Sequence, residues 1–318
     1  MGLERIDTMS DIYVLGSINM DLVFKMNRLP IKGETMQGEG FMMNPGGKGA
    51  NQAVASSLQG GRTFMVGSLG DDALSDILKE ALTHYQVDTT HIKRVTDSSP
   101  GVAGIWLEGG DNRIVLEAGA NSVHDLGRIE GILKAAPEDS VLIAQLEIPS
   151  DVVEHAFKTA KKKTMTTYLN AAPATTVSEE LLRHTDVLVV NKTEAETLTG
   201  TTVTSMEHAS IALKALLEKG VGAALLTLGA RGAVYMSAAE TQEVKGFDVE
   251  VLDTTGAGDA FIGAFAVKRA EGSSVTEALL HANAAGALSV SKVGAQKAIP
   301  NRAAVERFIR LKRSEKHV

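Results

Sequence analysis

The chain contains no cysteine, and its 318 residues include only seven prolines and one tryptophan. The absence of cysteine excludes disulfides, thiolate metal ligands and cysteine nucleophiles, and it fits a reducing compartment. No apolar run reaches about 18 residues, so we expect no membrane span. The first ten residues include Glu4, Arg5 and Asp7 and lack the apolar stretch of a signal peptide, so we expect a cytoplasmic protein.

An excess of positive charge is also lacking. The chain has 32 basic and 39 acidic residues, a formal net charge of −7. This charge gives no electrostatic footprint for nucleic acid, so we expect no nucleic-acid partner. Apolar residues make up 44% and charged residues 22% of the sequence, which is an ordinary globular composition. The length suffices for one large α/β domain or two smaller ones.

Short apolar runs alternate with longer helical patterns along most of the chain. Residues 12–16 and 187–190 are typical of buried strands, and residues 49–58 and 72–85 are typical of helices. Strands that alternate with helices indicate βαβ units. The sequence therefore predicts an α/β fold, in which helices flank a mainly parallel central sheet as a Rossmann-like three-layer sandwich.

Two segments, at about 18–44 and 101–117, interrupt this alternation. The second contains two apolar runs separated by Glu108-Gly109-Gly110-Asp111-Asn112, a sequence typical of a hairpin. We predict that both segments form a small antiparallel β lid. The chain 1–318 is then one domain that carries an inserted lid.

The most informative stretch runs from Asp253 to Asp259 and leads directly into an apolar helical pattern. Its glycines, Gly256 and Gly258, indicate a helix start whose unpaired N–H groups attract anions such as phosphate. A carboxylate at Asp259 would repel such an anion unless it accepts a proton from a hydroxyl that attacks the phosphate. The alternative is an ordinary capping residue after a glycine-rich turn.

A second glycine cluster spans residues 44–51. Its spacing does not match a P-loop, and the turn after the first strand lacks the G-x-G-x-x-G of dinucleotide-binding folds. Gly46 and Gly47 would instead let a polyol lie against bare backbone, while Lys48 and Asn51 offer hydrogen bonds.

Four motifs together resemble the ribokinase-like carbohydrate kinase family in order and spacing. They are Gly16–Asp21, Gly46–Asn51, Asn191–Glu196 and Asp253–Asp259, and the resemblance extends from about Ile12 to Pro300. It implies ATP-dependent phosphorylation of a sugar hydroxyl, with the 5-hydroxyl of D-ribose as the expected acceptor and ribose 5-phosphate and ADP as products.

The resemblance also implies a role for each matching position. Asp259 would be the general base, and the backbone N–H groups of Gly256, Ala257 and Gly258 would form the anion hole. The implied sugar-binding residues are Asn19, Asp21, Gly47, Lys48, Asn51 and Glu147, together with Asp259. The implied ATP-binding residues are Asn191, Thr227, Leu228, Gly229, Ala230, Arg231, Gly232, Gly258 and Asn283.

Two cations follow from the same resemblance. Mg²⁺ would lie with the nucleotide phosphates and be organised through water by Asn191 and Glu194. The residues implied for an activating K⁺ are Asp253, Thr255, Ser289, Lys292 and Gly294. Ala298 stands where the family has a serine. K⁺ binding would suffer if that serine contributed its hydroxyl and would be unaffected if it contributed only its carbonyl.

The apolar residues of the lid strands, Trp106 among them, predict a homodimer formed by two lids. Three alternatives to ribose phosphorylation remain open. One is another kinase of the same family, acting on deoxyribose, fructose, a nucleoside or a keto-deoxy sugar acid. The others are a sugar- or nucleotide-binding regulator without turnover and a nicotinamide-dependent oxidoreductase, which the missing fingerprint disfavours.

Overall fold

A computed structural model describes residues 10–109 and 111–315. Nine of the ten residues on which the absence of a signal peptide was predicted lie outside the described residues, as does Gly110 of the predicted hairpin. In the two described ranges, no helix has both the length and the apolar character needed to cross a bilayer.

The central sheet is mainly parallel, as predicted. Its strands are β1 Ile12–Leu15, β4 Thr63–Leu69, β5 Ile92–Arg94, β8 Val141–Gln145, β9 Thr166–Asn170, β10 Val187–Val190, β11 Ala223–Thr227, β12 Ala233–Ser237 and β13 Thr241–Val244. They lie in the order β13-β12-β11-β10-β9-β8-β1-β4-β5. Only β12 runs antiparallel to both of its neighbours, β11 and β13, at one edge. The sequence analysis missed this edge hairpin.

Helices cover both faces of the sheet. They are α1 Lys48–Leu58, α2 Ala73–His84, α3 Leu126–Ala135, α4 Ser150–Lys161, α5 Glu179–Arg183, α6 Lys192–Thr199, α7 Met206–Glu218, α8 Ala257–Ala270, α9 Val275–Val290 and α10 Arg302–Glu315. Because strand side chains alternate between faces, Ile12 and Val14 join one core with α1, α8 and α9. Tyr13 and Leu15 join a second core with α4 and α7. The predicted three-layer architecture is confirmed.

A smaller sheet contains the two segments that interrupt the βα alternation. Its strands are β2 Asn19–Met26, β3 Gly40–Gly46, β6 Gly101–Glu108 and β7 Asp111–Glu117, in the order β3-β2-β6-β7. The outer pairings are antiparallel, as expected of two hairpins. The central pairing of β2 with β6 is parallel, because the chain returns to the small sheet only after a long crossover.

The close crossing of α1 and α8 brings two helix N-termini to the carboxyl edge of the central sheet. Gly263 allows this crossing, since a Cβ at that position would lie 2.6 Å from the Cβ of Ala55. The segments that follow β1, β8, β10 and β11 begin at the same edge, because parallel strands share their direction. This edge, beneath the small sheet, is where the predicted site residues lie.

Candidate active site

Asp259 lies in the first turn of α8, directly after the left-handed Gly256, whose φ is 75°. Only 5% of the residue is exposed. Its Oδ2 accepts a hydrogen bond from Asn51 Nδ2 at 3.0 Å, and its Oδ1 accepts one from Gln52 Nε2 at 2.8 Å. Burial raises the pKa of Asp259, while the charge of Lys48 and the two amide donors oppose that rise. A desolvated carboxylate of this kind is suited to accept a proton.

Open space lies in front of the first turn of α8. A Cβ built on Gly258 would meet no atom within 4 Å, so the backbone there is bare. The N–H of Ala257 makes only a long 3.3 Å bond to the carbonyl of Thr254. The first N–H groups of a helix have no partners within the helix and favour anions. The first turn of α8, where the anion hole is predicted, is therefore open to an approaching ligand.

Lys48 and Glu147 form the charged wall next to Asp259. Glu147 Oε2 accepts from Ser17 Oγ at 2.6 Å and from the Lys48 N–H at 3.1 Å. The Lys48 Nζ lies 3.9 Å from Glu147 Oε1. Burial would lower the pKa of Lys48, but the surrounding carboxylates, Asp259 foremost, outweigh it and raise that pKa. The ammonium group therefore stays charged inside the pocket.

Asn19 is held at the start of β2 by a second asparagine. Asn121 Nδ2 donates to Asn19 Oδ1 at 2.7 Å, and Asn121 Oδ1 accepts from the Ile18 N–H at 3.0 Å. Gly101 leaves room for this pair, since a Cβ there would lie 2.1 Å from Asn19 Oδ1. With its oxygen engaged, Asn19 can present its NH₂ group to the pocket. The sequence analysis did not identify Asn121, whose partner lies more than 100 residues away.

Asp21 lies two residues further along β2, against the bare backbone of Gly46. A Cβ on Gly46 would lie 2.4 Å from Asp21 Oδ2. Burial and, to a lesser extent, the charge of Glu147 raise the pKa of Asp21 to about 7, against the opposing charge of Lys48. The carboxylate is thus poised to ionise when a hydroxyl donor approaches it.

Asn51 completes a polar pocket, whose other members are Asn19, Asp21, Lys48, Glu147 and Asp259. It contributes an oxygen that has no partner among the described residues. Its Oδ1 is buried and accepts no hydrogen bond from the residues that the structure describes, while its Nδ2 donates to Asp259. A buried polar atom is normally satisfied. A ligand hydroxyl that donates to Asn51 Oδ1 would satisfy it next to the carboxylate of Asp259.

A cavity of about 260 Å³ adjoins the first turn of α8, where Ala257 and Gly258 line it. Its lining is mostly glycine backbone and apolar side chains. Of the predicted ATP-binding residues, those that line it are Thr227, Gly229, Ala230, Gly232, Gly258 and Asn283. The residues that the sequence analysis missed include Phe247, Val249, Val251, Ala287 and Val290.

Three of the predicted ATP-binding residues do not line this cavity: Asn191, which caps α6, Leu228 and Arg231. The side chain of Leu228 is buried in the core under α7, because this residue directly follows a buried strand. Arg231 points away and donates to the carbonyl of Thr204 at 3.3 Å.

Asn191 and Glu194, predicted near Mg²⁺, cap α6 together. Glu194 accepts from the N–H and the Nδ2 of Asn191 at 2.7 and 2.9 Å, and Asn191 Oδ1 accepts from the Glu194 N–H at 2.9 Å. Burial raises the pKa of Glu194, whereas the Asn191 N–H and Lys48 lower it. Since their polar atoms are engaged with each other, this pair suits contact with a metal through water better than direct coordination.

The residues predicted for K⁺ join two loops beside α8. Asp253 Oδ1 accepts from the N–H and Oγ1 of Thr255 at 2.9 and 2.6 Å, and its Oδ2 accepts from the Gly294 N–H at 2.9 Å. Burial favours a higher pKa for Asp253, but these donors outweigh it and lower that pKa. Ser289 is fully buried, and its Oγ has no partner among the described residues. Lys292 is exposed.

Comparison with known proteins identifies the family. Residues 9–302 match the pfkB family of carbohydrate kinases. The chain belongs to this family. The resemblance seen in the motifs is thereby confirmed.

Individual relatives are similar over nearly their whole length. The chain is 39% identical to the ribokinase of Haemophilus influenzae over 298 residues, which cover 93% of this chain and 97% of that protein. It is 35% identical over 303 residues to the deoxyribokinase of Salmonella typhi, covering 94% and 97%. The structure of Arabidopsis thaliana ribokinase complexed with ribose and ATP superposes with a TM-score of 0.88 at 32% identity, covering 95% and 99%.

Proposed function

We propose that this carbohydrate kinase transfers the γ-phosphoryl group of ATP to the 5-hydroxyl of D-ribose, giving D-ribose 5-phosphate and ADP. The observation that carries the proposal is the position of Asp259, whose buried carboxylate contacts Asn51 of the polar pocket and whose neighbour in the first turn of α8, Gly258, lines the cavity. The relatives named above, two ribokinases and a deoxyribokinase, support a pentose as the acceptor.

In this mechanism the sugar lies in the polar pocket. Its hydroxyls would donate to Asn51 Oδ1 and to the carboxylate of Asp21. Asp259 would take the proton of the attacking hydroxyl as the new O–P bond forms and the bond from the γ-phosphorus to ADP breaks. Such general-base assistance contributes about 10²–10⁴-fold to the rate. The N–H groups of residues 256–258 would stabilise charge on the migrating group, with about 10²–10³-fold for one donor.

The nucleotide would occupy the cavity, with its phosphates directed toward Gly258. Glycines at 229 and 232 let a planar base approach the backbone closely, and Asn283 offers a polar side chain in a mainly apolar lining. Mg²⁺ would be held mainly by the nucleotide phosphates, with Asn191 and Glu194 acting through water. When bound, this ion neutralises phosphate charge.

A monovalent cation fits the two loops joined by Asp253. The fully buried Ser289 Oγ has no partner among the described residues, so it is available as an oxygen ligand, and oxygen ligands suit hard cations. Ala298 is fully buried, and its methyl side chain has no atom that could bind a cation. We propose that K⁺ activates the enzyme. Turnover measured in buffers without K⁺, and then with added K⁺, tests this, and an unchanged rate would argue against it.

We further propose that the small sheet is a lid on one catalytic domain and that two lids pair in a homodimer. Residues paired across a sheet share a face, so Asp21 lies on the face that also carries Ile114 and Leu116. These two side chains are about half exposed, at 51% and 56%. Such a patch beside a cleft is suited to association with a second copy.

Sedimentation at micromolar concentration tests the dimer. We expect the wild type to be dimeric and Leu116→Lys to be monomeric, because a lysine would be buried without a partner. Val115→Lys, on the opposite face, is the matched control and should stay dimeric. A monomeric wild type would contradict the proposal.

We also propose a cytoplasmic location, where ATP is abundant.

An ADP-release assay over a panel of sugars tests the main proposal. We expect the highest kcat/KM with D-ribose, lower values with deoxyribose and fructose, and no turnover without sugar. A preference for deoxyribose would favour the activity in the name of the Salmonella typhi relative. Failure to release ADP with any sugar, despite measurable ATP binding, would favour a regulator without turnover.

A further inference from the structure

Asp259 is connected to the interior by a chain of two buried glutamines. Gln52 Nε2 donates to Asp259 Oδ1 at 2.8 Å, and Gln145 Nε2 donates to Gln52 Oε1 at 2.6 Å. Both glutamines are fully buried. Neither belongs to the residues that face the sugar or the nucleotide, so the proposed function leaves this chain unexplained.

The carboxylate fixes which end of each glutamine amide donates and which accepts. An ionised carboxylate only accepts hydrogen bonds, so Gln52 must turn its NH₂ group toward Asp259. The Gln52 oxygen then faces inward and requires a donor, which Gln145 supplies. The remaining Gln145 Oε1 is buried without a partner among the described residues and rests against Gly16, where a Cβ would lie 1.9 Å away.

The two glutamines hold Asp259 only at Oδ1, through the amide of Gln52. They leave Oδ2 on the side of the polar pocket, where it can accept the proton of a bound hydroxyl. Oδ1 is held from the interior by Gln52, while Oδ2 accepts from Asn51 Nδ2 at 3.0 Å and lies on the side where the Oδ1 of Asn51 has no partner among the described residues. Because Gln52 holds Oδ1 and Asn51 holds Oδ2, the carboxylate cannot rotate freely, and Oδ2 keeps its position relative to a bound hydroxyl. Positioning within a fraction of an ångström is what catalytic groups require.

We propose that Gln52 and Gln145 are positioning residues, which orient the carboxylate of Asp259 and keep it ionised for proton transfer. This inference rests on the proposed role of Asp259 as the general base. It predicts that loss of the Gln52 donor disturbs the chemical step and its pH dependence rather than the binding of ATP.

The charged groups around Asp259 come from several elements. Lys48 on α1 favours the ionised carboxylate, whereas Glu147 after β8 opposes it. Glu194 on α6 also interacts with Asp259, and Asp21 on β2 interacts with Lys48. In the described residues, none of these four groups makes a hydrogen bond to Gln52 or Gln145, so we expect replacement of the glutamines to leave them in place. A change in the pH dependence of kcat can therefore be assigned to the missing donor.

The test compares wild type with Gln52→Met, which keeps the length of the side chain and removes its hydrogen bonds. At saturating ribose and ATP, we expect kcat to fall about tenfold or more. Removal of a donor raises the pKa of a carboxylate. The acid limb of the kcat profile should therefore move to higher pH by about one unit. Gln145→Met should shift the limb in the same direction but less.

Gln59→Met is a matched control, because Gln59 is also buried, follows the last residue of α1, and bonds to Pro300 and His281 far from the site. It should lower the melting temperature without moving the acid limb. The double variant Gln52→Met/Gln145→Met no longer buries an unpaired Gln145 amide, so it should be more stable than Gln52→Met. Its kcat and acid limb should nevertheless stay altered, because Oδ1 still lacks its donor.

Several outcomes would overturn the inference. One is an unmoved acid limb in Gln52→Met, or in Gln145→Met if Gln52→Met does not fold. Another is joint recovery of stability and activity in the double variant, which would mean a purely structural role. Asp259→Asn separates this inference from the proposed function. If Asp259→Asn is inactive while Gln52→Met keeps the wild-type limb, only the positioning role fails; if Asp259→Asn turns over normally, the base assignment fails first.

Discussion

The two sides of Asp259 are built by different means. On the side of the polar pocket, buried side chains with charges and amides are tied to one another, as in the contacts of Glu147 with Ser17 and Lys48. On the other side, the cavity of about 260 Å³ is lined mainly by glycines and apolar groups. The pocket can thus select a ligand by fixed donors and acceptors, whereas the cavity selects by shape and backbone approach. Substitutions should affect the two sides separately.

The largest effect is expected where the two sides meet. Asp259→Asn should lower kcat by about 10²-fold or more, because an amide cannot take the proton of the attacking hydroxyl. Binding of ribose, measured by calorimetry, should survive, since the other pocket groups remain. Asp125→Asn, at the N-cap of α3, is a matched control, because asparagine caps helices as well as aspartate. Turnover near the wild-type rate would remove Asp259 from the mechanism.

A substitution in the cavity should raise the KM for ATP alone. Gly286 lies on α9 in the cavity lining, so Gly286→Leu should fill space that the nucleotide needs and raise this KM about tenfold or more. The KM for ribose should stay unchanged. Gly286→Ala is the control, because its Cβ would make an ordinary contact with the carbonyl of Ala257 at 3.6 Å. An equal rise in both KM values would mean that the two sides are not independent.

A smaller effect should be confined to the polar pocket. The pKa of Asp21 is raised to about 7, and a sugar hydroxyl would bind its ionised form. Ribose affinity should therefore fall about tenfold from about pH 8 to about pH 6, as the carboxylate becomes protonated. Calorimetry on the Asp259→Asn protein removes the titration of Asp259 from the measurement. Adding Asp21→Asn should abolish the dependence, and affinity unchanged in that pH range before this addition would contradict the prediction.

The difference between the two sides also explains how far the sequence could predict them. Pocket residues such as Lys48 and Asn51 belong to short motifs in which polar groups adjoin glycines, so they are visible in the sequence. The cavity residues Phe247 and Val249 lie in an irregular segment between β13 and α8 without strand or helix periodicity. Apolar residues in such a segment carry no local signal for a ligand.

The interior partners of the site residues could not be predicted from the sequence either. Gln145 lies 93 residues from Gln52 and 114 residues before Asp259, and Asn121 lies 102 residues from Asn19. A buried glutamine at the end of a strand looks the same in sequence whether or not it supports a carboxylate. Only the packing of β8 against α1, and of α1 against α8, gives it that contact.

By itself, the sequence determined the alternation of strands and helices, the glycine-rich start of α8 and the motifs that reveal the family. Those features depend on local periodicity and on residue types that adopt special backbone conformations, so they can be identified without coordinates. The tertiary structure alone decided which oxygen of Asp259 is held from the interior, which apolar residues line the cavity and how the lid strands pair. These features depend on contacts between segments that are distant in the sequence. Such contacts form only when the chain packs and its buried polar groups find partners in the core.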